Sequence, residues 1–159
     1  MTPVRPQDVR HKVELLRLLT KIVDNGYLAQ NLYFKGGTCA SMLGFLDRFS
    51  IDLDFDMNPK ADPRKIQAEF EQIFKDLNLS IKDQSQKVPE YFLGYTSPPN
   101  QRNTIKLDAF GPVFEANIYK PQFLQEIDRV VNCQTIETMF ANKLVAPINR
   151  FEKSKSIAG

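Results

Sequence analysis

The stretch that decides the fold is KGGT at residues 35–38, followed after a short apolar segment by RFSIDLDFD at residues 48–56. From residue 50 to residue 56, polar and apolar side chains alternate strictly, which is the period of a β-strand. The apolar run at residues 32–34 ends at the two glycines and predicts a buried strand. We expect Thr38 to cap a helix that follows the glycines. The stretch therefore predicts a strand, a glycine bend, a helix and a second strand.

Three aspartates follow one face of this second strand. Side chains two residues apart point to the same side of a strand, so Asp52, Asp54 and Asp56 share a face. Residues 104–110 alternate in the same way, and pairing of the two strands would bring Asp108 to Asp52 and Asp54. Three carboxylates can hold two Mg²⁺ ions, which prefer oxygen ligands and together clamp the attacking and leaving oxygens of a phosphoryl displacement. The alternative is a solvated strand face that discourages edge-to-edge pairing and binds nothing.

The segment Lys35-Gly36-Gly37-Thr38 favours the ligand site over the solvated face. Two glycines between a strand and a helix let the backbone approach a ligand closely, and a helix N-terminus attracts anions. Thr38 would add a hydroxyl group and Lys35 a positive charge. A plain tight turn would explain the glycines but not their order beside the carboxylates. The segment therefore predicts a phosphate cradle upstream of the acidic strand.

Two further polar residues are candidates for the same site. Ser50 lies just before the aspartates and could contact a ligand or only bond to the turn backbone. Lys143 falls on the inward stripe that Ile136 and Met139 predict for the last helix. A lysine on such a stripe needs an anionic partner or a path to solvent, so Lys143 could bind a triphosphate or extend its stem to water. His11, by contrast, is predicted to lie on the surface of the first helix.

The rest of the chain predicts helices packed on a mixed sheet. Helices are expected at residues 7–24, after the start signal Asp62-Pro63 and at residues 136–146, and further strands at residues 79–83, 91–96, 104–110 and 130–134. This order predicts an α+β fold with a mixed β-sheet and helices packed on it.

The composition fits one globular domain and disfavours several kinds of site. The chain has 159 residues, of which 42% are hydrophobic and 25% charged, with a formal net charge of +2. One histidine and two cysteines are too few for a Cys/His zinc site and disfavour a Ser-His-Asp triad. Cys39 and Cys133 are expected to be reduced thiols of a cytoplasmic protein. No run is long enough to span a membrane, and the first residues lack the apolar stretch of a signal peptide.

The motif residues resemble the signature of the AbiEii/AbiGii toxin-type nucleotidyltransferases, a family of the DNA polymerase β-like nucleotidyltransferase superfamily. The resemblance spans roughly residues 30–150. It rests on Lys35-Gly36-Gly37-Thr38, on Arg48-x-Ser50-x-Asp52-x-Asp54-Phe55, and more loosely on Asp108 in Lys106-Leu107-Asp108 and Lys143 in residues 142–150. Ile51 departs from the pattern, because many members carry an acidic residue there. The family's Arg-Asp pair and C-terminal helical portion would follow Gly159, so residues 1–159 are expected to form a catalytic domain without that portion.

The resemblance implies a nucleotidyltransferase-like fold and the transfer of a nucleoside monophosphate from an NTP to an acceptor hydroxyl. It implies Asp52, Asp54 and Asp108 as catalytic residues and Mg²⁺ ligands. It implies as nucleotide-binding residues Lys35, Gly36, Gly37, Thr38, Ser50 and Lys143. By the same resemblance, the acceptor hydroxyl would be one such as that of the tRNA 3′ end. The protein would be the toxin of a bacterial toxin-antitoxin or abortive-infection system, and a cognate antitoxin would be its partner. Its location would be the bacterial cytoplasm. Two alternatives stay open: transfer to a small molecule or a protein, and a catalytically silent nucleotide-binding module.

Overall fold

A seven-stranded mixed sheet organises the part of the chain that the computed structural model describes, residues 4–109 and 115–143. The strands are β1 (Leu32–Lys35), β2 (Leu53–Met57), β3 (Ser80–Gln84), β4 (Glu90–Gly94), β5 (Thr104–Asp108), β6 (Tyr119–Leu124) and β7 (Arg129–Gln134). Their order across the sheet is β3-β4-β5-β2-β1-β7-β6. The pairs β2–β5 and β1–β7 are parallel and the other pairs are antiparallel. The predicted α+β architecture with a mixed sheet is therefore confirmed.

Helices cover one face of this sheet. They are α1 (Val9–Asp24), α2 (Gly26–Asn31), α3 (Gly36–Met42) and α4 (Pro63–Asp76), and residues 136–143 are also helical. The apolar side chains of the strands alternate toward the helices, as in Leu53 and Phe55 of β2 and Ile105 and Leu107 of β5, and all four are buried. The acidic side chains lie at the intervening positions of the same strands. No helix among the described residues is long and apolar enough to cross a bilayer.

Two elements escaped the sequence prediction. Asn25 ends α1 as expected, but its side chain also accepts a hydrogen bond from the Leu28 N–H at 3.0 Å and so starts α2 at once. Strand β6 contains Pro121, which argues against a strand in the middle of a sheet. Because β6 is the outermost strand, its proline is tolerated there.

The starts of α3 and β2 differ from the prediction. Helix α3 begins at Gly36, so Thr38 lies in its first turn instead of capping it. Strand β2 begins at Leu53 and not at residue 50, so Asp52 lies just before the strand. The predicted strand end at residue 110 and the predicted helix residues 144–146 lie outside the described residues.

His11 is buried, which corrects the prediction of a surface position. Its ring is 0% exposed, its Nδ1 lies 2.6 Å from the Tyr95 hydroxyl oxygen, and its Nε2 lies 2.8 Å from the carbonyl oxygen of Ile51. The ring sits on the same face of α1 as Leu15 and Leu18. Helical spacing therefore contained the signal, which the polar character of the residue obscured.

Asp56 ties four strands together. Its carboxylate is 1% exposed and accepts hydrogen bonds from the Tyr119 hydroxyl at 2.5 Å and from the Gln134 side chain at 3.0 Å. The other carboxylate oxygen lies 2.6 Å from the Lys35 Nζ. A buried carboxylate satisfied by one cation and two hydrogen bonds is a structural anchor. The third aspartate of the acidic strand thus has a role in the fold.

Replacing Asp56 with alanine should lower the free energy of unfolding by about 2–4 kcal/mol, because it leaves a partly buried ammonium and two polar groups without their acceptor. Chemical denaturation followed by circular dichroism measures the change. Asp24→Ala is the matched control, because the pair between Asp24 and Arg129 lies at the surface, where solvent screens it. Equal losses in the two variants would contradict the anchoring role of Asp56.

Candidate active site

Asp54 lies at the centre of the candidate site because of the strand register. It is the neighbour of Asp108 across the parallel pair β2–β5 and of Lys35 across the antiparallel pair β1–β2. Cα partners in adjacent strands direct their side chains to the same face. The sequence prediction that the two acidic strands pair is correct, and it places the Asp54 and Asp108 carboxylates side by side on the face opposite the helices.

The electrostatic state of Asp54 reflects this crowding. Burial, together with the charges of Asp52 and Asp108, raises the pKa of Asp54 to about 6, and the nearby ammonium groups of Lys35 and Lys106 offset only part of this effect. Above that pH, the site holds several negative charges in a partly buried position. Binding of a cation would stabilise such a site. The cation reduces the repulsion between the carboxylates and compensates the carboxylate of Asp54 for its lost hydration.

The carboxylates do not form a ready-made metal cage. Within residues 4–109 and 115–143, no group of three His, Cys, Asp or Glu side chains is close enough to hold a metal ion by itself. The donor chemistry nevertheless fits Mg²⁺, because the clustered groups are carboxylate oxygens. Mg²⁺ commonly takes only one or two carboxylates from the protein and fills its octahedron with water and substrate phosphates.

Gly36 faces the Asp54 carboxylate directly, and Gly37 faces Ser50 and Arg48. Gly36 has a φ of +84°, and a Cβ atom built there would lie 2.7 Å from the Asp54 Oδ2. A Cβ atom on Gly37 would lie 3.2 Å from the Ser50 Oγ and 3.3 Å from the Arg48 Nη2. The absence of side chains at both positions therefore lets this bend pack closely against Asp54, Ser50 and Arg48.

Thr38, a predicted nucleotide-binding residue, contacts the backbone next to the acidic strand. Its side chain is 3% exposed, and its hydroxyl donates a hydrogen bond to the backbone carbonyl of Asp52. Together with the bond from His11 to Ile51, this contact holds the chain just before β2. The sequence analysis identified Thr38 by its place in the motif but gave no sign of these two backbone contacts.

The two candidate lysines occupy different environments. The Lys35 ammonium is paired with Asp56, and its charge also acts on Asp54. Lys143 lies in the last helical turn that the structure describes, and its side chain is exposed. The expected inward stripe of this helix includes buried Met139, but Lys143 is not on the buried side.

A cavity of about 540 Å³ opens next to the site, behind the segment that joins α3 to β2. Thr38, Arg48 and Ser50 line it, together with side chains of α1 such as Lys12 and Leu15. Since Asp52, Asp54 and Asp108 are not part of its wall, the cavity is separate from the position where a cation would meet the carboxylates.

Solved structures share this fold. A Helicobacter pylori protein provisionally described as a nucleotidyltransferase superposes with a TM-score of 0.59 and 22% sequence identity, over 89% of this chain and 59% of that one. The structure of JHP933 from Helicobacter pylori gives a TM-score of 0.59 and 21% identity, over 89% of this chain and 58% of that one. The chain therefore spans less than two thirds of the length of these structures. A comparison with curated proteins found no match.

A comparison of the sequence with protein families identifies the family of this chain. The family described as "Nucleotidyl transferase AbiEii toxin, Type IV TA system" matches residues 17–156, which include the glycine bend and all three site aspartates. The match confirms the resemblance that the glycine and aspartate motifs indicated. The chain belongs to the AbiEii nucleotidyl transferase toxin family of type IV toxin-antitoxin systems.

Proposed function

We propose that this protein is a Mg²⁺-dependent nucleotidyltransferase that moves a nucleoside monophosphate from an NTP to an acceptor hydroxyl. The observation that carries the proposal is the position of Asp54, which lies beside Asp108 across β2–β5 and against the Cβ-less face of Gly36. A cation between the carboxylates and a phosphate at the glycine bend would then be neighbours. Membership of the family supports the same reaction class.

The proposed metal ligands are Asp52, Asp54 and Asp108. When bound, Mg²⁺ supplies the positive charge that neutralises the triphosphate and stabilises the attacking and leaving oxygens. Asp108 is proposed to accept the proton of the attacking hydroxyl. The acceptor oxygen forms a bond to the α-phosphorus while the bond to the bridging oxygen breaks, and pyrophosphate leaves.

The proposed nucleotide-binding residues contribute in different ways. Gly36, Gly37 and Thr38 form the first turn of α3 and are proposed to contact the phosphates, and Ser50 lies against Gly37 at the same bend. Lys35 is proposed to act through its charge while it stays paired with Asp56. Lys143, on an exposed position of its helix, is proposed to reach the triphosphate from outside the sheet. In this class of reaction, most of the rate acceleration comes from orienting the reacting groups and neutralising the charge of the phosphates.

The biological role proposed here is that of a toxin. The family supports an antitoxin as the regulatory partner, and the cytoplasm is the compartment in which NTPs are present. The tRNA 3′ end is the proposed acceptor. Transfer to a small molecule or a protein hydroxyl is the alternative, and the label in the following experiment separates the two.

Incubation of the protein with α-³²P-labelled NTPs, Mg²⁺ and total RNA should label RNA, and Asp52→Ala should abolish the labelling because it removes a proposed metal ligand. Gel electrophoresis with RNase and protease digestion identifies the labelled species.

Expression of the gene should arrest growth, and Asp52→Ala should relieve the arrest. Equal toxicity of wild type and Asp52→Ala would exclude nucleotidyl transfer as the cause.

Asp54→Asn should raise the melting temperature of the metal-free protein at pH 7.5, because it removes a negative charge that is costly to bury and that its carboxylate neighbours repel. The folded-state pKa of about 6 exceeds the usual value of 3.8, so the contribution of Asp54 to stability is greatest below pH 3.8 and falls as the pH rises through 6. The gain in the variant, about 1–3 kcal/mol, should therefore be present at pH 7.5 and vanish near pH 4.

The same variant should lose the further stabilisation that Mg²⁺ and NTP give to the wild type by binding the native state. Differential scanning calorimetry with and without both ligands measures the two effects. A wild type that shows no shift with any NTP at millimolar Mg²⁺ would remove the basis of the proposed reaction.

Gly36→Ala should abolish the shift in melting temperature that Mg²⁺ and NTP produce, because the new Cβ would displace the Asp54 carboxylate. Gly44→Ala is the matched control, since Gly44 has the same φ of +84° but open space around its Cα. Each variant should lose about 1–2 kcal/mol of stability from the strained backbone. Retained ligand binding in Gly36→Ala would contradict the proposed contact between the bend and the metal site.

A further inference from the structure

The backbone just before β2 is held by side chains instead of by the sheet. Strand β2 begins at Leu53, and its register with β5 begins at the pair Leu53 and Leu107. The two preceding carbonyls, those of Ile51 and Asp52, accept hydrogen bonds from His11 and Thr38. Asp52 therefore lies in a segment whose conformation depends on two distant side chains.

The geometry fixes the roles of the His11 ring nitrogens. A carbonyl oxygen can only accept, so the Nε2, 2.8 Å from the Ile51 oxygen, carries the hydrogen. The Nδ1, 2.6 Å from the Tyr95 hydroxyl oxygen, then accepts in the neutral ring. Burial lowers the pKa of His11, which favours this neutral form. The ring thus links α1 to the segment that carries Asp52.

Thr38 makes the corresponding link from the other side. It lies in the first turn of α3, directly after Gly36 and Gly37, and its hydroxyl reaches the Asp52 carbonyl. One hydrogen bond therefore precedes the Asp52 residue and the other follows it. The two peptide groups on either side of the Asp52 Cα atom set the direction of its Cα–Cβ bond, and so the region that its carboxylate can reach.

We propose that His11 and Thr38 are positioning residues for Asp52, which hold the Ile51 and Asp52 carbonyls and so set the place of the Asp52 carboxylate beside Asp54. This inference rests on the proposed function, because it gives Asp52 a metal to bind. Residues that orient a metal ligand from outside the coordination shell commonly change metal affinity by 10–100-fold when they are replaced.

Binding of Mn²⁺, a paramagnetic substitute for Mg²⁺, tests the inference by electron paramagnetic resonance of the free ion and needs no turnover. His11→Asn can keep a partner for the Tyr95 hydroxyl but is too short to reach Ile51, and it should weaken Mn²⁺ binding about tenfold or more. His11→Gln places an amide N–H near the position of the Nε2 and should restore binding to within about threefold.

Tyr95→Phe is the control for a purely structural role. It removes the other hydrogen bond of His11 and should lower the melting temperature, but it leaves the Ile51 contact in place and should keep Mn²⁺ affinity within about twofold. A second pair tests the other carbonyl independently. Thr38→Val has a similar shape without the donor and should weaken Mn²⁺ binding, whereas Thr38→Ser keeps the hydroxyl and should not.

The outcomes separate this inference from the proposed function. If Asp54→Asn abolishes Mn²⁺ binding while His11→Asn and Thr38→Val bind as the wild type does, the positioning role is wrong and the metal site stands. If wild-type protein binds no Mn²⁺ with or without NTP, both proposals fail. If either His11→Asn or Thr38→Val loses affinity and its conservative partner regains it, the positioning role is supported even where the other variant does not fold.

Discussion

The parallel pairing of β2 with β5 is the constraint on which the rest of the site depends. Its register sets Asp54 beside Asp108, and the partly buried position makes the negative charge of Asp54 costly, as its pKa of about 6 shows. A fold optimised only for stability would avoid this arrangement. Two neighbouring residues accommodate this pair of carboxylates. Gly36 has no side chain and leaves room for the Asp54 carboxylate, and the Lys35 ammonium group offsets part of its charge.

Asp54 and Asp56 show how one alternating strand divides two tasks. They share a face and lie two residues apart, yet Asp56 is neutralised by Lys35 and accepts two further hydrogen bonds. Asp54 has carboxylate neighbours instead and is only partly compensated. The Asp56 carboxylate joins β2 to β1, β6 and β7. These contacts hold the strand that carries Asp54, whose charge is only partly compensated. Stability and the proposed reactivity are thereby assigned to two positions on the same face of one strand.

The sequence predicted the elements that local periodicity reveals. It did not predict the features that depend on contacts with residues far away along the chain. Alternation identified β2 and β5 and the shared face of their aspartates, and helical spacing identified α1 and α4. The start of β2 could not be predicted, because His11 and Thr38 take the carbonyls of Ile51 and Asp52. The burial of Asp56 was also missed, because its partners on β6 and β7 lie more than sixty residues away along the chain.

The electrostatics of the site imply that metal and nucleotide would bind together under the proposed function. Among the described residues, no group of three His, Cys, Asp or Glu side chains is close enough to hold a metal ion by itself, so a metal ion alone would bind more weakly than it does with nucleotide. The NTP phosphates would supply the missing ligands, and the metal would in turn relieve the repulsion between the triphosphate and the carboxylates of Asp54 and Asp108. Each ligand thus raises the affinity for the other, and by linkage the two effects are equal. Under the proposed function, the cost of the crowded negative charge at Asp54 would be relieved fully only when metal and nucleotide are both bound.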